Sequence, residues 1–186
     1  ASALLCQIRS LALRRRSSKP VEKDLIEHFA LNRSGLGFMR DVMAPRVRLY
    51  RLLRSGNVGN GRAQTEIAAS LDTMWWLQHQ LWVAPALTWL EKRTVEHPET
   101  AHFFRRLDRL AWMMRIAGVD PTEQETAFIR LINEIGGTAA VDDIRGLSIE
   151  VKIRRAALTN LRAHSFYSKH TSGPVLRRLS RLHGHL

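Results

Sequence analysis

The chain has 186 residues, enough for one domain, and 45% of them are apolar, which excludes disorder and allows a buried core. Lys and Arg number 29 against 17 Asp and Glu, for a net charge of +12. That balance points to a polyanionic partner, nucleic acid first and an anionic membrane surface second, although an arginine-rich composition also yields a merely solvated positive surface.

The first stretch, ASALLCQIRSLALRRRSS, has several arginines and no acid, a composition shared with organelle transit peptides. Leu4, Ile8 and Leu11, with Leu5 and Ala12, recur at helical spacing and predict a first helix instead. Cys6 is the single cysteine, so disulfides within the chain are excluded and a thiolate zinc cluster is disfavoured. Its apolar neighbours predict a buried small side chain rather than a reactive thiol. The chain lacks an initiator Met, as a segment of a longer protein would.

KPVEKDLIEHFAL spaces Val21, Leu25 and Phe29 one turn apart and predicts a second helix. LGFMRDVMAPRVRLYRLL follows, with Pro45 expected to kink or break it. SGNVGNG, residues 55–61, is a loop by composition; without a Gly-Lys-Ser/Thr ending it is no phosphate-binding loop, and it is expected to be a mobile connector. AQTEIAASLDTMWWLQHQLWVAPALTWLEKR is the longest helical stretch. Leu71, Trp75, Gln78 and Trp82 form one stripe, widened by Met74, Leu77 and Leu81, and Pro85 should bend or split the helix. Tryptophans at this spacing read as core rather than as a ligand pocket or a base-stacking platform.

TVEHPE, residues 94–99, joins that helix to the next. A Glu-His pair before proline can open a His-Asn-His nuclease site, but such a site needs a hairpin and a metal-binding helix, and two long helices leave no room. The joint reading prevails: His97 caps, Pro98 takes the first helical position and Glu99 suits the positive end of the helix. In PETAHFFRRLDRLAWMMRIAG, Phe103, Leu107, Leu110, Ala111 and Met114 face inward while Arg105, Arg106, Asp108 and Arg109 face away, and Gly118 caps the C-terminus. Asp120 and Pro121 open the following helix, with Glu123 placed to complete a capping box, and Gly136–Gly137 end it. LSIEVKIRRAALTNLRAH is a further helix behind Ser148, and SGPVLRRLSRLHGH a last, short and basic one.

With no alternating strand and no apolar run of roughly 18 residues, the expectation is an all-α, irregular bundle of about seven to eight helices without a membrane span. It is taken as a single helical domain over 1–186, with a sub-boundary at 137–147 and a C-terminal extension beginning at 148–186. His97 and His102 are spaced wrongly to face one metal on a helix, and His183 and His185 lie at the chain end. No nucleophile has a base and an orienting partner, so no catalytic residue, metal ligand or cofactor is expected.

Arginines recur on helix backs at Arg14–Arg16, at Arg46, Arg48, Arg51 and Arg54, at Arg105, Arg106 and Arg109, and at Lys152, Arg154 and Arg155. The densest candidate is SFYSKHTSGPVLRRLSRL, where Lys169 precedes a loop and Arg177, Arg178 and Arg181 ride on the helix it launches. Each cluster alone reads as a solvated face. Aromatics are not interleaved with these arginines, so contact to duplex phosphates is expected rather than single-strand binding.

Three stretches carry a family resemblance in order: WWLQHQLWVAPALTWLEKR, FFRRLDRLAWMMRIAGVDPTEQETAFIRLINEI and FYSKHTSGPVLRRLSRL. Over about half the chain they resemble the central helical region of modification-dependent restriction nucleases of the GmrSD kind. The N-terminal Asp-Gly-Gln-Gln-Arg motif of that family is absent, and its C-terminal Glu-His-x-x-Pro motif occurs only as the misplaced TVEHPE. The resemblance implies a non-catalytic module of a bacterial, cytoplasmic defence protein, joining a nucleotide-hydrolysing domain to a nuclease domain and touching duplex DNA, with those flanking domains as its other partners. A helical protein-interaction or scaffold module with no nucleic-acid role is the alternative.

Overall fold

The computed structural model describes residues 2–77, 79–137 and 140–162, and among them every regular element is helical, as the amphipathic periodicities require. In order these are α1 (Ser2–Leu13), α2 (Val21–Phe29), α3 (Leu31–Gly37), a π-helical turn (Phe38–Met43), α4 (Ala44–Ser55), α5 (Arg62–Met74), α6 (Val83–Lys92), α7 (Pro98–Ala117), α8 (Pro121–Gly137), two 3₁₀ turns (Val141–Asp143 and Arg145–Leu147) and α9 (Val151–Arg162). No helix among the described residues is long and apolar enough to cross a membrane.

The first two helices keep their expected faces. Leu4, Ile8 and Leu11 are buried along α1, as is Leu25 on α2, while Val21 and Phe29 are partly buried against the core. Cys6 departs from expectation, being half-buried rather than sealed. At Pro45, expected to kink or break its helix, α-helical geometry is interrupted just before the proline: a π-helical turn ends at Met43 and α4 begins at Ala44, with the proline in its first turn. The turn before it widens to π geometry, and the Ala44 N–H bonds to Met39 O, five residues back. The widened turn gives the proline ring room beside the carbonyl it would otherwise meet, and α4 runs on from it.

The predicted long helix is two. α5 stops at Met74 and α6 starts at Val83, so the stripe of Leu71, Trp75 and Trp82 is not one helix face; Gln78 lies outside the described residues. Indole donors hold the break: Trp75 Nε1 donates to Leu53 O at 2.8 Å and Trp82 Nε1 to Met74 O at 3.1 Å, occupying a carbonyl at the end of α5. Pro85 sits in the first turn of α6, where its missing N–H costs nothing. The loop after α4 is pinned by Val58, 4% exposed, with Gly56 and Gly59 at positive φ supplying the turns.

α7 lies between α5 and α9, while α6 packs on α8 and α1, and α4 on α6. The two groups meet where Trp89 of α6 stacks on Phe103 of α7, centroids 4.3 Å apart and planes 5° from parallel. One continuous core results. Phe103, Leu107, Leu110, Ala111 and Met114 are buried in it as expected. Val141, Ile144 and Leu147 of the 3₁₀ turns enter it too, so residues 141–147 are stitched into the core that α7 and α8 share.

Candidate nucleic-acid interface

The residues singled out in the C-terminal stretch, Lys169, Arg177, Arg178 and Arg181, lie outside the described residues. The other basic clusters are placed, and their surroundings divide them.

Many cations are neutralised locally. Arg16 bonds Glu125 at 3.2 Å, Arg46 pairs with Glu91 at 2.8 Å, Arg105 with Glu66 at 3.3 Å, and Arg106 with Asp142 at 2.7 Å. Arg40 donates to both oxygens of Asp41, at 2.6 and 2.9 Å, and those hydrogen bonds hold the Asp41 carboxyl below its ordinary range. Exposed pairs such as this contribute little to stability. They do lower the field that a phosphate would meet.

The cations left over are grouped. Arg109 on α7 and Arg154 and Arg155 on α9 are exposed and have no acidic partner among the described residues. α9 packs along α7 through Ile153 and Ala157, and Asn160 Nδ2 donates to Ile116 O at 2.9 Å, which fixes the register of the pair. The α7 and α9 clusters therefore ride on adjacent helices. On α4, Arg48 and Arg51 are also exposed and unpaired among the described residues, whereas Arg54 lies 4.6 Å over the Trp75 ring.

That last contact departs from the sequence reading, which found arginines and aromatics in separate segments. Arg54 and Trp75 meet only through folding, whereas Arg93 lies 4.1 Å over the Trp89 ring four residues before it. Trp82 and Trp89 are core as expected, and Trp112 is buried too, but Trp75 is half-buried and Trp76 stands 59% exposed. Asp108 is a second correction. Placed with the outward arginines, it is in fact 1% exposed, accepting from Thr73 Oγ1 at 3.0 Å. A carboxylate inside a helix pair needs donors, and one within reach is on α5, thirty-five residues earlier, where no local pattern reveals it; that single hydroxyl proton is shared with Ser70 O at 2.8 Å and Ala69 O at 3.2 Å.

TVEHPE is the joint that its context implied. His97 is the N-cap of α7, its Nδ1 accepting from Glu99 N at 3.2 Å, and Pro98 follows at the first helical position. Trp89 Nε1 donates to Thr100 Oγ1 at 3.0 Å, and that hydroxyl donates to Thr94 O at 2.8 Å, so a buried relay ties the joint to α6. Glu99 accepts from Val141 N at 3.1 Å and braces the first 3₁₀ turn. His102 turns instead toward Asp142, 3.7 Å away.

A cavity of about 10 Å³ between Trp82, Ala111, Arg115 and Phe128 holds about one water. Among the described residues no three His, Cys, Asp or Glu side chains gather as metal ligands would. No family model, curated protein or solved structure matches the chain.

Proposed function

We propose that this chain is a helical module that contacts the backbone of duplex DNA and contains no reactive centre of its own. In a restriction protein of the kind it resembles, it would join the nucleotide-hydrolysing domain to the nuclease domain and carry their coupling. The observation that supports the DNA contact is that Arg109, Arg154 and Arg155 are exposed on two helices that pack together and have no carboxylate partner among the described residues. Unpaired guanidinium groups on neighbouring helices attract phosphates without reading bases, so binding would be nonspecific and salt-sensitive. Lys169, Arg177, Arg178 and Arg181 would add to the same contact.

The test is duplex affinity against salt. Wild type should lose affinity steeply as salt rises, and replacing Arg109, Arg154 and Arg155 with Ala should flatten the log–log slope by roughly one unit per arginine. A flat wild-type response, or no binding at low salt, removes the DNA role.

A protein partner is favoured by one separate observation. Leu36 is 89% exposed and Met39 55%, one turn apart on the bent α3–π segment, with Arg33 and Arg40 beside them. This reading predicts association with a flanking domain in the absence of nucleic acid, abolished by Leu36→Arg. Association that survives the substitution would dismiss this surface.

A further inference from the structure

The corner between α4 and the end of α5 sets aromatic rings and guanidinium groups against each other, which neither helix does alone. The Trp75 indole is clamped on α4 by its bond to Leu53 O, and Tyr50 meets it edge-on at 5.9 Å, as Trp82 does at 4.9 Å. Arg54 covers the Trp75 ring. One turn back along α4 stands Arg51, and a turn before that Arg48, both exposed.

Trp76 is the next residue after this clamped indole. Its backbone is fixed, with the N–H bonded to Thr73 O at 3.3 Å, yet its ring is largely in water. Burying an indole is among the larger gains a fold can make, and here the fold forgoes it on a rigid mount. An exposed indole next in the chain to the ring that Arg54 covers, with Arg51 and Arg48 continuing the same row along α4 and without acidic partners among the described residues, suits a flat, electron-rich group attached to a phosphate.

We infer that this corner is a second nucleic-acid site, one that takes unpaired bases: Trp76 stacks a base, and Arg48 and Arg51 hold the adjoining phosphates. Stacking tolerates any base, so the site selects for single strands and not for sequence. A duplex keeps its bases stacked on one another and offers Trp76 no face. The inference therefore does not rest on duplex binding by α7 and α9, and the two sites separate in one experiment.

Fluorescence anisotropy of a labelled oligothymidylate of about 15 nucleotides and of a labelled blunt duplex would be measured at low salt. The proteins are wild type, Trp76→Ala, Trp76→Phe, the pair Arg48→Ala with Arg51→Ala, and the α7–α9 triple variant. Circular dichroism melting checks that each is folded; Trp76, Arg48 and Arg51 are exposed, so all three substitutions should be. Trp76→Ala should weaken oligothymidylate binding about tenfold and leave the duplex unchanged, while Trp76→Phe keeps most of the affinity. The Arg48/Arg51 pair should follow Trp76→Ala, and the α7–α9 variant should show the opposite preference. The site is overturned if wild type fails to bind oligothymidylate, if Trp76→Ala changes its affinity less than twofold, or if it weakens both probes equally. Loss of duplex binding alone, in the α7–α9 variant, would speak only to the other face.

Discussion

Asp108 lies between Leu107 and Arg109 in sequence and is nearly sealed from water in space. A buried carboxylate is costly unless donors reach it, and the Thr73 hydroxyl at 3.0 Å, which it shares with Ser70 O at 2.8 Å, is one of the groups that reach it. Thr73→Val preserves shape and removes that donor. We expect a loss of about 1 kcal/mol by urea denaturation and a Tm lower by roughly 3 °C. A change within about 0.3 kcal/mol would show that Asp108 is satisfied without Thr73. His97 offers a milder contrast. His97→Ala removes the cap and should cost about 1 kcal/mol, whereas His97→Asn, an inherently good cap, should be close to neutral. If histidine were needed for metal chemistry instead, Asn and Ala would fail alike in any metal-dependent assay. The cap was legible because its partners are local: proline at the next position, and the amide it serves two residues on. The burial of Asp108 was not, because its donor comes from another helix and its neighbours in sequence are arginines.

Helix boundaries followed the same division. Gly118 caps α7 at positive φ, and Asp120 Oδ1 accepts from Thr122 N at 2.8 Å ahead of Pro121, as their residue types required. Between Met74 and Val83 the apolar spacing runs on unbroken while the helix does not, since tryptophan donors and a tertiary carbonyl decide the matter. Pro85 marked the right helix but the wrong point. The α2–α3–π region carries two exchanges that local conformation makes favourable. Ala30 is left-handed, φ 49°, where an L side chain is strained, and Gly37 is helical, φ −59°, with open room for a Cβ whose nearest neighbour is 3.9 Å away. Ala30→Gly and Gly37→Ala should each stabilise by about 0.5–1 kcal/mol, read as a higher urea midpoint at constant slope. A loss in Gly37→Ala would mean that the π turn depends on glycine's freedom. Gly146 behaves differently. A Cβ there would approach Glu134 Oε2 to 3.2 Å and the Leu131 backbone to 3.5 Å, so its alanine variant should lose stability in the same assay.

At the scale of the whole molecule, the class of fold was the most legible property, because amphipathic periods and short punctuated joints leave no other architecture for these residues. Which charged faces come together was the least legible. Net charge is a sum over residues, and it holds no record that Arg105 meets Glu66 or that Arg54 lies on Trp75. Twelve of the twenty residues of α7 are buried, and α5 and α9 flank it. Its amides should therefore exchange with deuterium only when the whole molecule opens, more slowly than those of α2 or α3. A single helix of this length spans about 30 Å, from the His97 cap to the Gly118 turn. Clamped along its length, such a strut has no compliant joint in which to absorb a push. The Trp89–Thr100–Thr94 relay and the Asn160 bond hold its two ends, so a displacement at one end should move the helix as a unit.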